Sequence, residues 1–198
     1  MMTGSGDFTA IREAHYVKHF GLLSESIMHS TDEKTPHVDI YRFPPFQDRH
    51  YWTLITGGMS DFRQSVPDDA PEHVSPRTEI LLYVRAPQPW MFSVLKGLAE
   101  MPFDDQTFLH WWHTVPNGMP MTAKPSLLTN FFFLPPYFEK EGFDTLEIGG
   151  DKVNILWLIP ITDAELHYKL EHGGRALEEL FSQKELDPVV DESRKSLV

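Results

Sequence analysis

Several histidines stand at spacings that could bring two imidazoles together for metal binding or acid–base chemistry. His15 and His19 are four residues apart on a predicted helix, and His110 and His113 flank a pair of tryptophans. Zinc sites built from paired histidines add a carboxylate at a fixed spacing, as in H-E-x-x-H, and neither pair has one. The favoured interpretation is solvated or hydrogen-bonded histidines, with no metal and no cofactor.

A second candidate is the segment Gly57-Gly-Met-Ser-Asp61, which follows a predicted strand. It lacks the G-x-S-x-G pattern of a nucleophile elbow and the lysine of a phosphate-binding loop. We interpret it as a tight turn in which glycine supplies a positive φ and Ser60 or Asp61 caps a backbone donor. The loop that it opens, 59–76, is longer than most connections, which indicates either a function or mobility.

The remaining residues do not support catalysis by themselves. The chain has no cysteine, which excludes a thiolate nucleophile, a disulfide and a Cys-ligated metal. Carboxylates are plentiful, but no spacing fixes two of them together. Trp111 and Trp112 are adjacent, so their rings should point to different sides of the backbone. We expect at least one of them in the core, while the other could reach an interface.

The charge of the chain bears on its partners. Among 198 residues, 17 are Lys or Arg and 29 are Asp or Glu, so the net charge is −12. This balance opposes binding to nucleic acid, which depends on clustered cations. The longest apolar runs are far shorter than the ~20 residues that cross a membrane, and no export signal is visible, so we expect a cytoplasmic protein. The acidity favours a basic protein partner, unless it serves only to keep the chain in solution.

Apolar periodicity predicts the elements that position these residues. A helix is expected over Asp7–Phe20, with Phe8, Ile11, His15 and Leu22 on its inner stripe. Five segments have the composition of strands: Val38–Phe43, Tyr51–Gly57, Thr78–Val84, Leu127–Leu134 and Lys152–Ile161, the last closed by Pro160.

Two of these strand predictions are more specific. The first two segments are expected to form an antiparallel pair. Thr78–Val84 is apolar on both faces, which predicts a central strand covered on both sides. This prediction places the carboxylate of Glu79 at the start of a buried strand.

Three further helices follow from capping and spacing. One begins near Trp90, after prolines suited to a first helical turn. A capping box over Thr162–Glu165 starts the second, with Leu166 and Leu170 on its inner face and a left-handed residue at Gly173-Gly174. The third contains Leu177, Leu180 and Phe181, and from Asp187 we expect a loosely ordered tail.

In this order, the segments resemble the suppressor-of-fused domain from about residue 8 to residue 195. The signature runs through Val38-Asp-Ile-Tyr-Arg-Phe-Pro-Pro45, Tyr51-Trp-Thr-Leu-Ile-Thr-Gly-Gly-Met-Ser-Asp61 and Glu79-Ile-Leu-Leu-Tyr-Val84. It continues in the helix from Trp90 to Phe103 and in Val153-Asn-Ile-Leu-Trp-Leu-Ile-Pro-Ile-Thr-Asp-Ala-Glu-Leu166.

The resemblance implies a non-enzymatic, protein-binding α+β domain, with a mixed, mostly antiparallel sheet and helices packed on its faces. It implies one domain over residues 1–198, with a core at about 8–186. Animal members sequester a zinc-finger transcription factor of the Hedgehog pathway and have a long C-terminal second domain, which we expect this protein to lack. Short bacterial members are thought to act as immunity proteins against toxins, and the acidic charge would suit a basic toxin.

From these observations we expect a partner surface around the rim of the Gly57–Asp61 segment. Asp61 and the acidic loop would meet cations, and Trp111 or Trp112 would be an apolar anchor. The candidate residues are Tyr51, Gly58, Met59, Ser60, Asp61, Asp68, Asp69, Glu72, Trp111 and Trp112. Two alternatives stay open: a hydrolase that pairs His110 or His113 with an Asp, and a structural subunit of a homo-oligomer. The sequence leaves the oligomeric state open.

Overall fold

The computed structural model describes residues 5–22, 27–29, 36–122 and 125–198. Within them, the four helices are α1 (Ser5–Phe20), α2 (Pro89–Asp104), α3 (Asp163–His172) and α4 (Gly174–Gln183). The strands are β1 (Asp39–Phe43), β2 (Trp52–Gly57), β3 (Arg77–Val84), β4 (Thr114–Pro116), β5 (Leu128–Leu134), β6 (Glu147–Ile148) and β7 (Asp151–Thr162). All predicted elements are present, and the short strands β4 and β6 are additions to the sequence prediction.

The strands form one mixed sheet in the order β1-β2-β3-β7-β5-β4, with β6 paired to β7 outside this path. Neighbouring strands are antiparallel except β3 and β7, which are parallel. The predicted α+β class and the antiparallel pair β1–β2 are therefore confirmed. Every residue of β3 is buried, as expected for a central strand.

The sheet has a hydrophobic cluster on each face. Along β7, Ile155 and Trp157 belong to one cluster, whereas Leu156 and Leu158 belong to the other, as the two-residue period of a strand requires. Helices α1 and α4 pack on the first face, and α2 packs on the second. Each fully buried Leu or Phe contributes about 1.5–3 kcal/mol to stability by leaving water.

Helix α1 is where it was predicted, but its predicted inner stripe is only partly right: Phe8 packs against the core and His15 is half-buried, whereas Ile11 and Leu22 are exposed. Arg12, Tyr16 and Phe20, spaced four residues apart, are the buried residues, while Ile11 is 45% exposed and Leu22 is 79% exposed. Apolar periodicity predicts that a charged residue of a helix faces solvent, whereas in α1 the Arg12 side chain faces the core. The reason is electrostatic, because Arg12 meets carboxylates on the sheet.

The second half of the chain departs from expectation at three points. The capping box of Thr162 and Glu165 is confirmed, but Leu170 is 66% exposed. Gly173 has φ 93° and ψ 160°, so it is extended with a positive φ and is not a left-handed cap, because α4 starts at the next residue. Pro160 does not close β7, since it is paired with β5 and the strand continues to Thr162.

The C-terminal segment occupies a split in the sheet. Strands β3 and β7 are paired up to Leu81 and Trp157, and beyond this pair the Val190 N–H donates to the Tyr83 carbonyl at 3.0 Å. Arg194 bonds both carboxylate oxygens of the fully buried Glu165, at 2.6 and 2.7 Å. The sequence predicts a loose tail from residue 187, whereas these contacts hold the segment on the sheet.

Candidate partner-binding surface

The Gly57–Asp61 segment is organised around the fully buried carboxylate of Glu79 on β3. Thr56 Oγ1 donates to Glu79 Oε2 at 2.5 Å. Glu79 Oε1 accepts from the Gly58 N–H at 3.1 Å, the Ser60 N–H at 3.0 Å and the Ser60 hydroxyl at 2.6 Å. Four donors replace the water that this carboxylate gives up on burial, which is the condition for keeping a charge in a core.

Both glycines of the segment are required by close approach. A Cβ on Gly57 would lie 2.3 Å from a ring carbon of Tyr41. Gly58 has φ +112°, and a Cβ there would lie 2.0 Å from the carbonyl oxygen of His37. The glycines let the chain turn tightly enough for two backbone N–H groups to reach Glu79.

Arg12 brings the counter-charge from α1. It is 2% exposed, and its Nη1 lies 2.6 Å from Asp61 Oδ1 and 3.8 Å from Glu79 Oε1. Burial opposes the positive charge, but the carboxylates of Glu79 and Asp61, together with the neighbouring Tyr16, raise the pKa of Arg12 above its ordinary value. The cation therefore stays charged and ties α1 to the segment.

A second arginine fixes the segment from β3. Arg77 donates to the Ser60 carbonyl at 2.7 Å and to Asp151 Oδ2 at 2.8 Å. Asp151 begins β7 and also pairs with Arg63 at 3.1 Å. The start of the long loop is thereby fastened to two strands.

The structure removes part of the predicted surface from solvent. Gly58 is buried and Met59 and Ser60 are 0% exposed, so they build the turn and do not face a partner. The Asp61 side chain is 17% exposed and is occupied by Arg12. Ser60 serves Glu79 instead of capping its own turn. The prediction of a contact role overlooked that a carboxylate at the start of a buried strand needs donors nearby.

The acidic part of the long loop does lie on the surface. Asp68, Asp69 and Glu72 are exposed. The loop is anchored at its base by Gln64, whose amide donates to Thr78 Oγ1 at 2.7 Å and accepts from the Leu109 N–H at 2.8 Å. These bonds fix the base of the loop that carries the three carboxylates.

The far end of the loop meets the turn that contains the two tryptophans. The His73 carbonyl lies 3.1 Å from His110 Nε2 and accepts from the Asn154 amide at 2.8 Å. The His73 ring lies 5.3 Å from the His110 ring and 6.3 Å from Trp112. Glu72 precedes His73 in the chain, so this carboxylate lies close to the turn that contains the two tryptophans.

Trp111 and Trp112 are half-buried, and both indoles are engaged. Trp111 donates to the Ile155 carbonyl at 2.9 Å, and Trp112 donates to Glu178 at 2.5 Å. The guanidinium of Arg175 lies 3.7 Å from the centre of the Trp112 ring. The two rings pack against opposite faces of the sheet, as their adjacency predicts, although they stand in a turn and Trp112 has φ 64°.

Tyr51 lies apart from the other candidates. It precedes β2, whereas the Gly57–Asp61 segment follows it, so about 20 Å of extended strand separates them. Its ring packs edge-on against Tyr83 at 5.1 Å, and burial raises its pKa. Tyr51 therefore does not share a surface with the acidic loop.

The paired histidines are held by neighbouring protein groups. In the described part of the chain there is no group of three or more His, Asp or Glu side chains that could hold a metal ion. His15 Nε2 lies 2.9 Å from the Phe143 carbonyl, and its ring is 4.7 Å from that of His19. Burial lowers the pKa of His110 to about 4 and also lowers that of His113. Within the described residues neither ring bonds a carboxylate, so the hydrolase hypothesis gains no support.

Comparison with known proteins identifies the family of this chain. The model of the family described as Suppressor of fused protein (SUFU) matches residues 34–195. The chain belongs to the suppressor of fused family. The match includes the Gly57–Asp61 segment, β3, β7 and the C-terminal segment, whereas α1 and its Arg12 precede it.

Solved suppressor of fused structures share this fold. A homologue from Neisseria gonorrhoeae is 21% identical, with a TM-score of 0.75 and 98% of each chain covered. A chain in a crystal structure of the Sufu-Fu complex is 15% identical, with a TM-score of 0.69, covering 96% of this chain and 92% of that one. Drosophila Suppressor of Fused is 16% identical, with a TM-score of 0.55, and its match covers 81% of this chain but 42% of that protein.

A curated bacterial protein also matches part of the chain. The Immunity protein YqcF of Bacillus subtilis (strain 168) is 29% identical over 82 residues, and the match spans 41% of this chain and 42% of that relative.

Within the described residues, no helix is long and apolar enough to cross a membrane.

Proposed function

We propose that this domain binds and sequesters a basic protein and performs no chemistry of its own. The observation that carries the proposal is the anchored acidic loop, which exposes Asp68, Asp69 and Glu72 on a chain with a net charge of −12. A loop whose base is already fixed loses less conformational freedom on binding, and complementary charge speeds association.

The apolar part of this surface is the neighbouring turn. Trp111 and Trp112 are both half-buried, and the Trp112 ring lies beside that of His73. Partly exposed tryptophans next to charged residues have the composition of an energetically dominant contact. We therefore propose that the three carboxylates attract the partner and that the tryptophan edges contact it.

The relatives suggest what such a partner would be. The Bacillus subtilis relative is named an immunity protein, and a structural neighbour comes from a complex with another protein. We propose the immunity role for this chain, with a basic toxin as the partner. A nuclease toxin is positively charged because it holds nucleic acid, which matches an acidic inhibitor.

The test is affinity capture from a lysate of the source organism at about 50 mM and 500 mM salt, with mass spectrometry of the bound proteins. A basic protein held at low salt and released at high salt is expected, because exposed charges are screened. If it is a toxin, its expression alone should arrest growth, and co-expression of this chain should restore it.

The matched comparison uses two triple variants with the same change in charge. Asp68→Lys, Asp69→Lys and Glu72→Lys should weaken capture of the isolated partner at least about tenfold. Glu141→Lys, Glu171→Lys and Glu179→Lys, at exposed positions elsewhere, should weaken it much less. Equal affinities for both folded variants would reject the acidic loop as the contact surface.

A further inference from the structure

A groove of about 790 Å³ lies between the chain that follows β5 and the end of α4. Tyr137 and Phe138 form one wall, Phe181 of α4 contributes another, and the segment 185–188 closes the far side. Trp157 of β7 also lines it. Four of the eleven residues that line it are aromatic.

Two of the aromatic side chains are unusually exposed. Tyr137 is 55% exposed and Phe138 is 53% exposed, although they are consecutive and large. Phe138 stands edge-on to the Trp157 indole, with ring centres 5.3 Å apart and an angle of 84° between the planes. Adjacent exposed aromatic rings beside a concave surface are typical of a binding site.

The Trp157 indole has an unused hydrogen-bond donor. Trp157 is 4% exposed, and its Nε1 has no partner among the described residues. By contrast, Trp90, Trp111 and Trp112 each donate to a protein oxygen. A buried indole N–H usually finds an acceptor. This donor is itself buried, so an occupant of the groove meets the Trp157 ring through Phe138 and not through the indole N–H.

The charged residues that line the groove are all acidic: Glu178, Glu185 and Asp187. Glu178 already accepts from Trp112 and Tyr137. The Asp187 carboxylate has a distant partner, Arg85, at 3.7 Å between exposed side chains. Glu185 is exposed and forms no ion pair within the described residues, so the groove offers a free negative charge beside aromatic rings.

We propose that this groove binds an arginine-bearing, apolar segment of the basic protein partner. The guanidinium would meet Glu185 and Asp187 and stack on the exposed aromatic rings, which suits arginine better than lysine because its charge is planar and weakly hydrated. The inference rests on the proposed function, to which it adds a second contact and the chemistry of the bound segment.

The probe is a pentapeptide Ala-Leu-Arg-Leu-Ala, acetylated and amidated, and its twin with citrulline in place of arginine. Citrulline keeps the shape and removes the charge. Binding is followed by the ¹H–¹⁵N signals of the five indole N–H groups, which assignment by Trp→Phe variants identifies. The arginine peptide should shift the Trp157 signal, because it packs on the Phe138 ring that contacts this indole. The citrulline peptide should bind at least about threefold more weakly.

Matched variants locate the peptide. Glu185→Gln should weaken binding of the arginine peptide about threefold to tenfold. Glu179→Gln makes the same change on α4 outside the lining of the groove and should leave binding unchanged. Phe138→Ala, at a half-exposed site that should not impair folding, is expected to weaken both peptides because it removes the aromatic wall.

Three results would overturn the groove as a site: no Trp157 shift up to about 5 mM peptide, equal binding of the citrulline twin, or equal effects of Glu185→Gln and Glu179→Gln. The proposed function is tested separately. Capture that depends on the acidic loop but is unaffected by Glu185→Gln and Phe138→Ala would reject only the groove. Peptide binding without capture of any basic protein would reject sequestration and keep the groove.

Discussion

Arg12 Nη1 and Asp61 Oδ1 lie 2.6 Å apart, although 49 residues separate them in the chain. The contact joins α1 to the turn that follows β2 and brings the buried cation within 3.8 Å of Glu79. The turn is thus held from one side by β3 and from the other by a helix. This network is a rigid base from which the acidic loop extends.

Removing Arg12 should destabilise the fold strongly. Arg12→Ala leaves Glu79 and Asp61 without their nearest cation, and breaking a buried ion pair in this way costs about 3–5 kcal/mol. Urea unfolding followed by tryptophan fluorescence measures the loss. Arg63→Ala, which removes a 62% exposed partner of Asp151, should change the free energy of unfolding by less than about 1 kcal/mol. Similar losses for the two variants would contradict the role given to Arg12.

Two glycine-to-alanine substitutions should change the free energy of unfolding in opposite directions. Gly58→Ala places a Cβ 2.0 Å from the His37 carbonyl at φ +112°, so we expect a loss of at least about 2 kcal/mol. Gly97→Ala lies inside α2 with nothing within 4 Å of the new Cβ and should stabilise by about 0.5–1 kcal/mol. Thermal and urea unfolding of both proteins check the pair. A neutral Gly58→Ala would mean that the turn relaxes without cost.

The fold should lose stability as the pH falls from 6.5 to 4. Burial lowers the pKa of His110 to about 4, so the unfolded chain binds a proton at this residue that the native protein resists. Such a group gives its full stability above pH 6.5 and loses it as the pH falls, here by about 2 kcal/mol. His110→Gln should reduce the slope of unfolding free energy against pH. An unchanged slope in His110→Gln would contradict the prediction.

The C-terminal segment should be needed for stability. Arg194→Ala removes both hydrogen bonds to the buried Glu165, and we expect a loss of about 3 kcal/mol because that carboxylate keeps its burial without its cation. Lys195→Ala, one residue further and exposed, should change stability by less than about 0.5 kcal/mol. Urea unfolding of the two variants compares their stabilities. Equal midpoints would support the loose tail that the sequence predicts.

The elements that depend on local chemistry could be predicted from the sequence. The capping box at Thr162 and Glu165 is formed by residues three apart, and the alternation around Trp157 is a property of one strand. The family could be predicted as well, because its signature lies in short contiguous segments. Trp111 and Trp112 could be assigned to opposite sides, since adjacency alone separates two neighbouring side chains.

Which polar residues meet, and which of them reach solvent, was decided by the tertiary structure. Hydropathy places Arg12 outside and gives Ser60 to the surface, yet both are buried, because Glu79 on a distant strand needs donors and a counter-charge. In the same way, the tail from residue 187 carries little apolar periodicity. It is held because Arg194 bonds Glu165 and the Val190 N–H donates to the Tyr83 carbonyl. Hydrogen bonds and ion pairs of this range depend on which strands become neighbours, and a linear pattern of residues does not contain that information.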